Sequence, residues 1–457
     1  MNKVSKVSKK KKIVIGITFV LLLTSAVSGC YFYLTRPILS KKELVIYTGY
    51  SKTIYLYGRY DVKVWSSDNE EVAVVEDGTI TARTPGVVTI TADTGKEKFT
   101  CEVEVREAMS PKFYQIAEEE KEWFFSQQLE NGAICNRYHE NGEVSINPYF
   151  SALGVWCVLQ CDLTPEEEEQ IKEYLSWHFD HINEEEDYNG LVGTIYDYKA
   201  LVKDGKVIEE YTNEEYDSTD SYAAVFLSAL WKYYEATGDR TFLIEQEEKI
   251  KLVVNAMLST LEKSYTYSKP DYQIVYLMDN AEVYEGLVST EQIFLEVLNN
   301  KDYAEDIQKI KKNFTEEFNA IWWRGDHYSP YLDKDYKARD EKFSWKNFYA
   351  DAVSQLTPII YNLADSKKSE TIYSKFCENW NWEELDYFYG KEADFYWGML
   401  MYGAVKMQDV QRAECYLEYY KNETELREYP LILSDCAWVI LGTEKVGDYY
   451  KQIETES

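Results

Sequence analysis

A chain of 457 residues, 45% hydrophobic and 28% charged, is long enough for two or three domains with real cores. Its formal charge of -31 is uneven: residues 1–42 hold nine basic side chains and no acid, and the remainder sets 80 acidic residues against 40 basic. Such a field excludes nucleic acid as a partner and counts against anionic lipid and polyanionic substrates such as uronate polymers. Aromatic residues reach 16%, with 41 Tyr and 12 Trp. Rings with an apolar face and a polar handle suit sugars and protein surfaces alike. The eight Cys form no CxxC pair, and no His stands at metal-ligand spacing, so no metal is expected. No cofactor is expected either: GxGxxG after a strand, Walker A, GxSxG and HExxH are all missing.

Residues 1–12 form a basic tail ending in Lys9 to Lys12, and Ile13 to Leu34 is an uncharged, mostly apolar run. About 22 such residues cross a hydrocarbon core roughly 30 Å thick. The expectation is a single-pass signal-anchor at 13–34 that holds an extracellular body at the cell membrane, with the lysines inside. A cleaved signal peptide is the rival. Val27-Ser28-Gly29-Cys30 is similar to a bacterial lipobox, which would make Cys30 a lipid attachment point.

Residues 43–105 alternate in short β-type runs, such as Leu44-Val45-Ile46-Tyr47, Val72-Ala73-Val74-Val75 and Val87-Val88-Thr89-Ile90. Turn residues (Gly49, Asp77-Gly78, Pro85-Gly86, Gly95) separate them, and seven such runs predict a small antiparallel sandwich. Trp65-Ser66-Ser67-Asp68-Asn69, Asp77-Gly78-Thr79-Ile80-Thr81-Ala82 and Gly86 to Ala92 resemble the bacterial Ig-like group 2 (BIG2) domain. That resemblance implies a spacer or adhesion module without chemistry of its own.

From Ser110 onward the period becomes helical. Twelve helices in six pairs are predicted over 110–457: 111–128 and 147–160, 164–182 and 217–236, 240–264 and 280–299, 301–320 and 345–363, 366–379 and 392–405, 408–421 and 430–441. Loops within this series alternate in kind. Plain turns such as Thr237-Gly238-Asp239 alternate with long loops rich in Tyr, Trp, Asn, Gly and acids, at 129–146, 183–216, 265–279, 321–344, 380–391 and 422–429. In antiparallel hairpins alternate loops fall at opposite ends, so the ornate loops should share one mouth. Functional residues concentrate on loops held by a rigid scaffold.

Gly132-Ala133-Ile134 before Asn147-Pro148-Tyr149-Phe150, Asp217 to Ala224, and Asp279-Asn280-Ala281-Glu282-Val283-Tyr284-Glu285-Gly286 resemble hairpin signatures of the six-hairpin glycosidases. The fold class expected is therefore multidomain: an N-terminal anchor, a small all-β Ig-like sandwich, then an all-α (α/α)6 toroid. The resemblance implies cleavage of a glycosidic bond by two carboxyl groups, one proton donor and one activator of water. Asp220 and Glu282 are the first candidates, with Asp217 and Asp279 as supporting or exchangeable members. An Asp followed three residues later by Asp or Glu before an apolar run is equally a helix cap. Candidate sugar-binding residues are Trp322, Trp323, His327, Tyr328, Trp345 and Trp382, together with Glu285 and Asp394; Asp435, in the sixth inner helix, is a further acid expected toward the axis. The partner expected is a carbohydrate substrate or glycan ligand. A non-catalytic glycan- or partner-binding protein and a polysaccharide lyase stand as alternatives.

Overall fold

The computed structural model of the protein describes residues 36–338, 342–381, 395–428 and 430–456. Among these residues no helix is long and apolar enough to cross a membrane. The expected single-pass placement in the cell membrane is corrected on that finding. The basic tail, the run 13–34 and Cys30, on which the anchor and its lipoprotein rival were placed, lie outside the described residues.

Two compact units are present: residues up to Pro111 with the stretch from Asp448, and Lys112 to Gly447. The first is β-rich. Strands Glu43–Tyr47, Lys98–Arg106, Gly86–Asp93 and Val64–Ser67 lie in that order in a four-stranded sheet, with the first pair parallel. Ser51–Thr53, Thr79–Ala82 and Ala73–Glu76 form a second sheet. Alternate residues point inward, so Ile46, Ile80, Val88, Ile90, Cys101 and Val103 make one buried core. Asp77 and Gly78 turn between two strands with φ of 47° and 82°. A Cβ on Gly78 would stand 2.5 Å from the Ile54 carbonyl oxygen, so the turn needs glycine there.

The second unit is helical. Its helices are α1 (Ser110–Phe125), α2 (Pro148–Val158), α3 (Pro165–His181), α4 (Asp220–Thr237), α5 (Arg240–Glu245), α6 (Glu247–Leu258), α7 (Leu277–Gln292), α8 (Lys301–Trp322), α9 (Thr357–Ile360), α10 (Ser366–Asn379), α11 (Met399–Lys406), α12 (Val410–Glu423) and α13 (Leu433–Glu456). Plain turns cap as their sequence demands. Thr164 makes a reciprocal box with Glu167, and Gly238 ends α4 in the left-handed region.

The inner helices α2, α4 and α7 are apolar or small on most sides, as helices surrounded by protein must be. Gly286 of α7 sits against Ala224 of α4. A Cβ added there would come within 2.9 Å of the Ala224 Cα and Cβ, so these two small residues let the helices approach. The approach brings the acidic starts of α4 and α7 together.

The fourth inner segment departs from a regular helix. A π turn at Phe348–Ala352 and a 3-10 turn at Val353–Leu356 precede the short α9. Pro358 explains the break, because it has no N–H for the Ser354 carbonyl. The Thr357 hydroxyl donates to that carbonyl instead, at 2.8 Å.

The ornate loops fold into small sheets. Gly142–Ile146, Tyr198–Lys203 and Lys206–Thr212 pair in one three-stranded sheet, joining loop 129–146 to loop 183–216. Ile274–Tyr276 pairs with Tyr331–Asp333, joining loop 265–279 to loop 321–344.

Candidate active site

A cavity of about 390 Å³ opens where the inner segments begin. Tyr149 of α2, Tyr222 of α4, Glu282 of α7, Ile360 of α9, Met399 of α11 and Asp435 of α13 all line it. All six inner segments thus contribute. Tyr349 of the π turn, with Phe395 and Trp397 from the stretch before α11, completes an aromatic wall. Five carboxyl groups line the cavity: Asp197, Asp217, Asp279, Glu282 and Asp435. No Lys, Arg or His stands among its described lining residues.

Glu282 lies one turn inside α7 and is 4% exposed. Its Oε1 accepts a hydrogen bond from the Tyr149 hydroxyl at 2.7 Å. Its Oε2 is buried and has no partner among the described residues. Burial pushes its carboxyl up to about 8, against the Tyr149 hydrogen bond and helped by the Asp220 charge. At neutral pH this group therefore carries a proton.

Asp279 also lines the cavity, and burial together with the charges of Asp220, Glu282 and Asp217 raises its carboxyl well above the usual range. Asp220 is fully buried at the start of α4 and does not reach the cavity surface. Its Oδ2 accepts from the Thr266 hydroxyl at 2.7 Å and its Oδ1 from the Ser221 N–H at 2.8 Å. Burial lifts it to about 6. Asp217 is exposed on the cavity wall. Neither Asp217 nor Asp279 sits at a cap position. Thr219 and Tyr276 occupy those places, and neither makes a side-chain cap bond.

Asp197 and Asp435 complete the set. Asp197 Oδ1 accepts from Asn147 Nδ2 at 3.0 Å and from the Tyr222 hydroxyl at 3.1 Å, and burial lifts the group to about 6. Asp435 accepts the backbone N–H groups of Tyr396 and Gly398, both at 2.9 Å, and so pins the segment that carries Trp397.

The other expected residues fall elsewhere. Glu285, one turn beyond Glu282, does not line the cavity. Trp322 and Tyr328 are fully buried, packed on Phe318. Trp323 stands edge-on to Tyr328 and takes Lys368 over its ring. His327 stacks on Phe343 at 3.7 Å with Nδ1 2.7 Å from Asp326 Oδ1. Trp345 meets Phe343 edge-on, and its carbonyl oxygen accepts from Trp380 Nε1. The structure brings none of these four aromatic residues or His327 to the cavity. Trp382 and Asp394 lie outside the described residues.

A larger cleft of about 580 Å³ lies beside Trp123 and Arg427. It gathers no set of converging carboxyl groups, so acid–base chemistry points to the smaller cavity.

No family model matches the chain, and no curated protein matches it. Solved structures do. Two point variants of a glycosidase each superpose with a TM-score of 0.51 at 10% identity, covering 75% of this chain and 98% of theirs. A third glycosidase variant, solved with glucose, gives 0.50 at 11% identity over 74% of this chain and 97% of its own. The helical unit has a glycosidase-like (α/α) toroid fold.

Within this toroid, sequence reasoning passed over Tyr149, Asp197, Tyr222, Tyr349 and Trp397. A positional signal was available for two of them. Tyr149 and Tyr222 occupy the first turns of inner helices, as do Asp279 and Asp435. In a toroid those turns face the mouth whatever residue they carry.

Proposed function

We propose that this protein is a glycoside hydrolase acting on neutral sugars, with Glu282 as the proton donor. The observation that carries this reading is the state of Glu282: buried, held at one oxygen by Tyr149 and unpartnered at the other. A carboxyl kept neutral at pH 7 can protonate a glycosidic oxygen as the bond breaks. Asp220 supplies negative charge that discourages Glu282 from ionising. Asp217 is the lining carboxyl most open to water, and we assign it the activation of the attacking water. The acidic wall also favours the positive charge that develops on the sugar ring. Aromatic faces of Tyr349 and Trp397 offer stacking surfaces for ring C–H groups.

A lyase acting on a uronate would need a cation to neutralise the carboxylate, and the described lining residues include none. The β-rich unit, by its resemblance to BIG2 domains, would serve as a spacer or adhesion module.

The test is a screen of the full chain against neutral oligosaccharides, repeated with Glu282→Gln and Asp217→Asn. Turnover abolished by the first change and reduced by the second is expected. Turnover unaffected by Glu282→Gln removes this assignment; tight binding with no turnover of any glycan favours a non-catalytic receptor.

A further inference from the structure

A second cavity of about 280 Å³ adjoins the first. The two share Asn147 and Asp197 as lining residues. The second cavity rests on the three-stranded sheet that joins loops 129–146 and 183–216. Ile146, Tyr198 and Thr212 stand in register across that sheet and line it as a row. Ile146 is the one aliphatic side chain among its described lining residues. The remainder are polar, with Asn136, Asn213 and Glu215 around the row.

Two acceptors on its lining residues have no partner among the described residues. The Asn136 Oδ1 is buried and has no partner among the described residues. Asp197 uses only Oδ1 for Asn147 and Tyr222, and its Oδ2 accepts no hydrogen bond from the described residues. Asp197 is thereby fixed in orientation by two donors while one oxygen stays available where the cavities meet. Acceptors of this kind recognise hydroxyl groups, which sugars supply around the ring.

The charge balance selects among sugars. Asp197 and Glu215 are acidic, and the one lining cation, Lys199, is paired with Glu143 at 2.7 Å. A uronate or sulfated unit would meet unopposed negative charge, whereas a neutral unit would not.

We propose that this second cavity is a sugar subsite, and that the substrate is a neutral oligosaccharide of at least two units spanning the Asn147–Asp197 junction. The inference rests on the glycosidase reading and sharpens it. An enzyme of this kind would discriminate against single sugars, because a monosaccharide leaves half of the polar surface unengaged.

The experiment uses the full chain and two kinds of probe. Glycosyl fluorides of glucose and mannose need only the first cavity. Maltose, kojibiose, cellobiose and mannobiose need both. The variant Asn213→Trp fills the second cavity from an exposed loop position, and Asn136→Ala removes a buried acceptor without adding bulk. Each variant is expected to lower the ratio of kcat/KM for the preferred disaccharide to kcat/KM for the matching fluoride, by at least about tenfold for the Trp variant. The loss should appear in KM. A ratio unchanged within about twofold, or an equal fall for both probes, overturns the subsite.

Glu282→Gln is run in parallel. Fluoride leaves without a proton donor, so loss of disaccharide turnover with fluoride turnover retained is the expected result; disaccharide turnover that survives Glu282→Gln defeats the catalytic assignment and leaves the ratio readable. If no probe turns over, calorimetric titration with the disaccharides decides. Binding at least about tenfold weaker in Asn213→Trp supports the subsite; equal binding, or binding by none of them, overturns it.

Discussion

The Tyr149 hydroxyl donates to Glu282 Oε1 at 2.7 Å across the start of two inner helices. This bond opposes the effect of burial, since it favours the ionised carboxylate. Tyr149→Phe should therefore raise the Glu282 pKa further. One hydrogen bond of roughly 1 kcal/mol corresponds to a little under about one pH unit. A proton donor must be protonated in the free enzyme, so activity is present below its pKa and is lost as pH rises through it. The alkaline limb of kcat/KM should fall near pH 8 in the wild type and move upward in Tyr149→Phe. A limb that stays in place would show that Glu282 is not the group being titrated.

The same burial makes stability depend on pH. Glu282 is pushed from an ordinary 4.5 to about 8, and Asp197, Asp220 and Asp435 from 3.8 to about 6. Folded-state values lie above unfolded ones, so the folded chain binds more protons between them. Stability is then highest below the unfolded values and declines as pH rises, through about 6 for the three Asp and about 8 for Glu282. Over pH 6 to 8 the decline belongs mainly to Glu282, on the order of 2 kcal/mol. Glu282→Gln should flatten the slope of Tm against pH in that range and raise Tm at pH 8. Thermal unfolding at pH 6 and pH 8 in both proteins checks it.

Much of the toroid was legible because helical period and loop decoration are local properties of the chain. The alternation of plain and ornate loops placed the inner helix starts together, and the cavity lies there. What the sequence hid is which aromatic residues are spent on packing. Trp322 and Tyr328 lie in loop-rich, polar surroundings by sequence, yet both are fully buried against Phe318. Composition cannot separate a ring on a rim from a ring beneath it. The acid pairs misled differently. Asp217 with Asp220 and Asp279 with Glu282 have the spacing of a capping box, but the caps lie two and three residues away from that register, and tertiary contacts such as Thr266 with Asp220 help fix the boundary. Asp197 was obscured because its role depends on Asn147 and Tyr222, which are 50 and 25 residues distant.

Asp435 predicts a positional effect on catalysis. It holds the N–H groups of Tyr396 and Gly398, between which Trp397 takes a φ of 55°. Asp435→Ala strands two donors and should cost about 2–4 kcal/mol. Gly398→Ala should do comparable harm from the other side, because its Cβ would lie 2.3 Å from the Asp435 carbonyl oxygen. Both variants displace the Phe395–Trp397 wall. The expected kinetic signature is a rise in KM for neutral glycans larger than the fall in kcat, with the alkaline limb left in place.

Arg427 predicts a pure stability effect. Its guanidinium donates to both oxygens of Glu120, at 2.5 and 2.7 Å, and lies over the Trp123 ring, 5.5 Å from its centroid. Glu120 is 2% exposed and also accepts from the Tyr420 hydroxyl at 3.2 Å. Removing the Arg leaves a carboxyl buried without its counter-charge, which costs roughly 3–5 kcal/mol. Arg427→Lys should recover little, since an ammonium cannot match both oxygens or stack on the indole. The double change Arg427→Leu with Glu120→Leu should be far less harmful than Arg427→Leu alone, because no charge is then left unpaired in the interior. Denaturant unfolding of the three variants measures this directly. A single variant no worse than the double one would mean that Glu120 finds another partner or water, and that the fork is not what holds α1 to the start of α13.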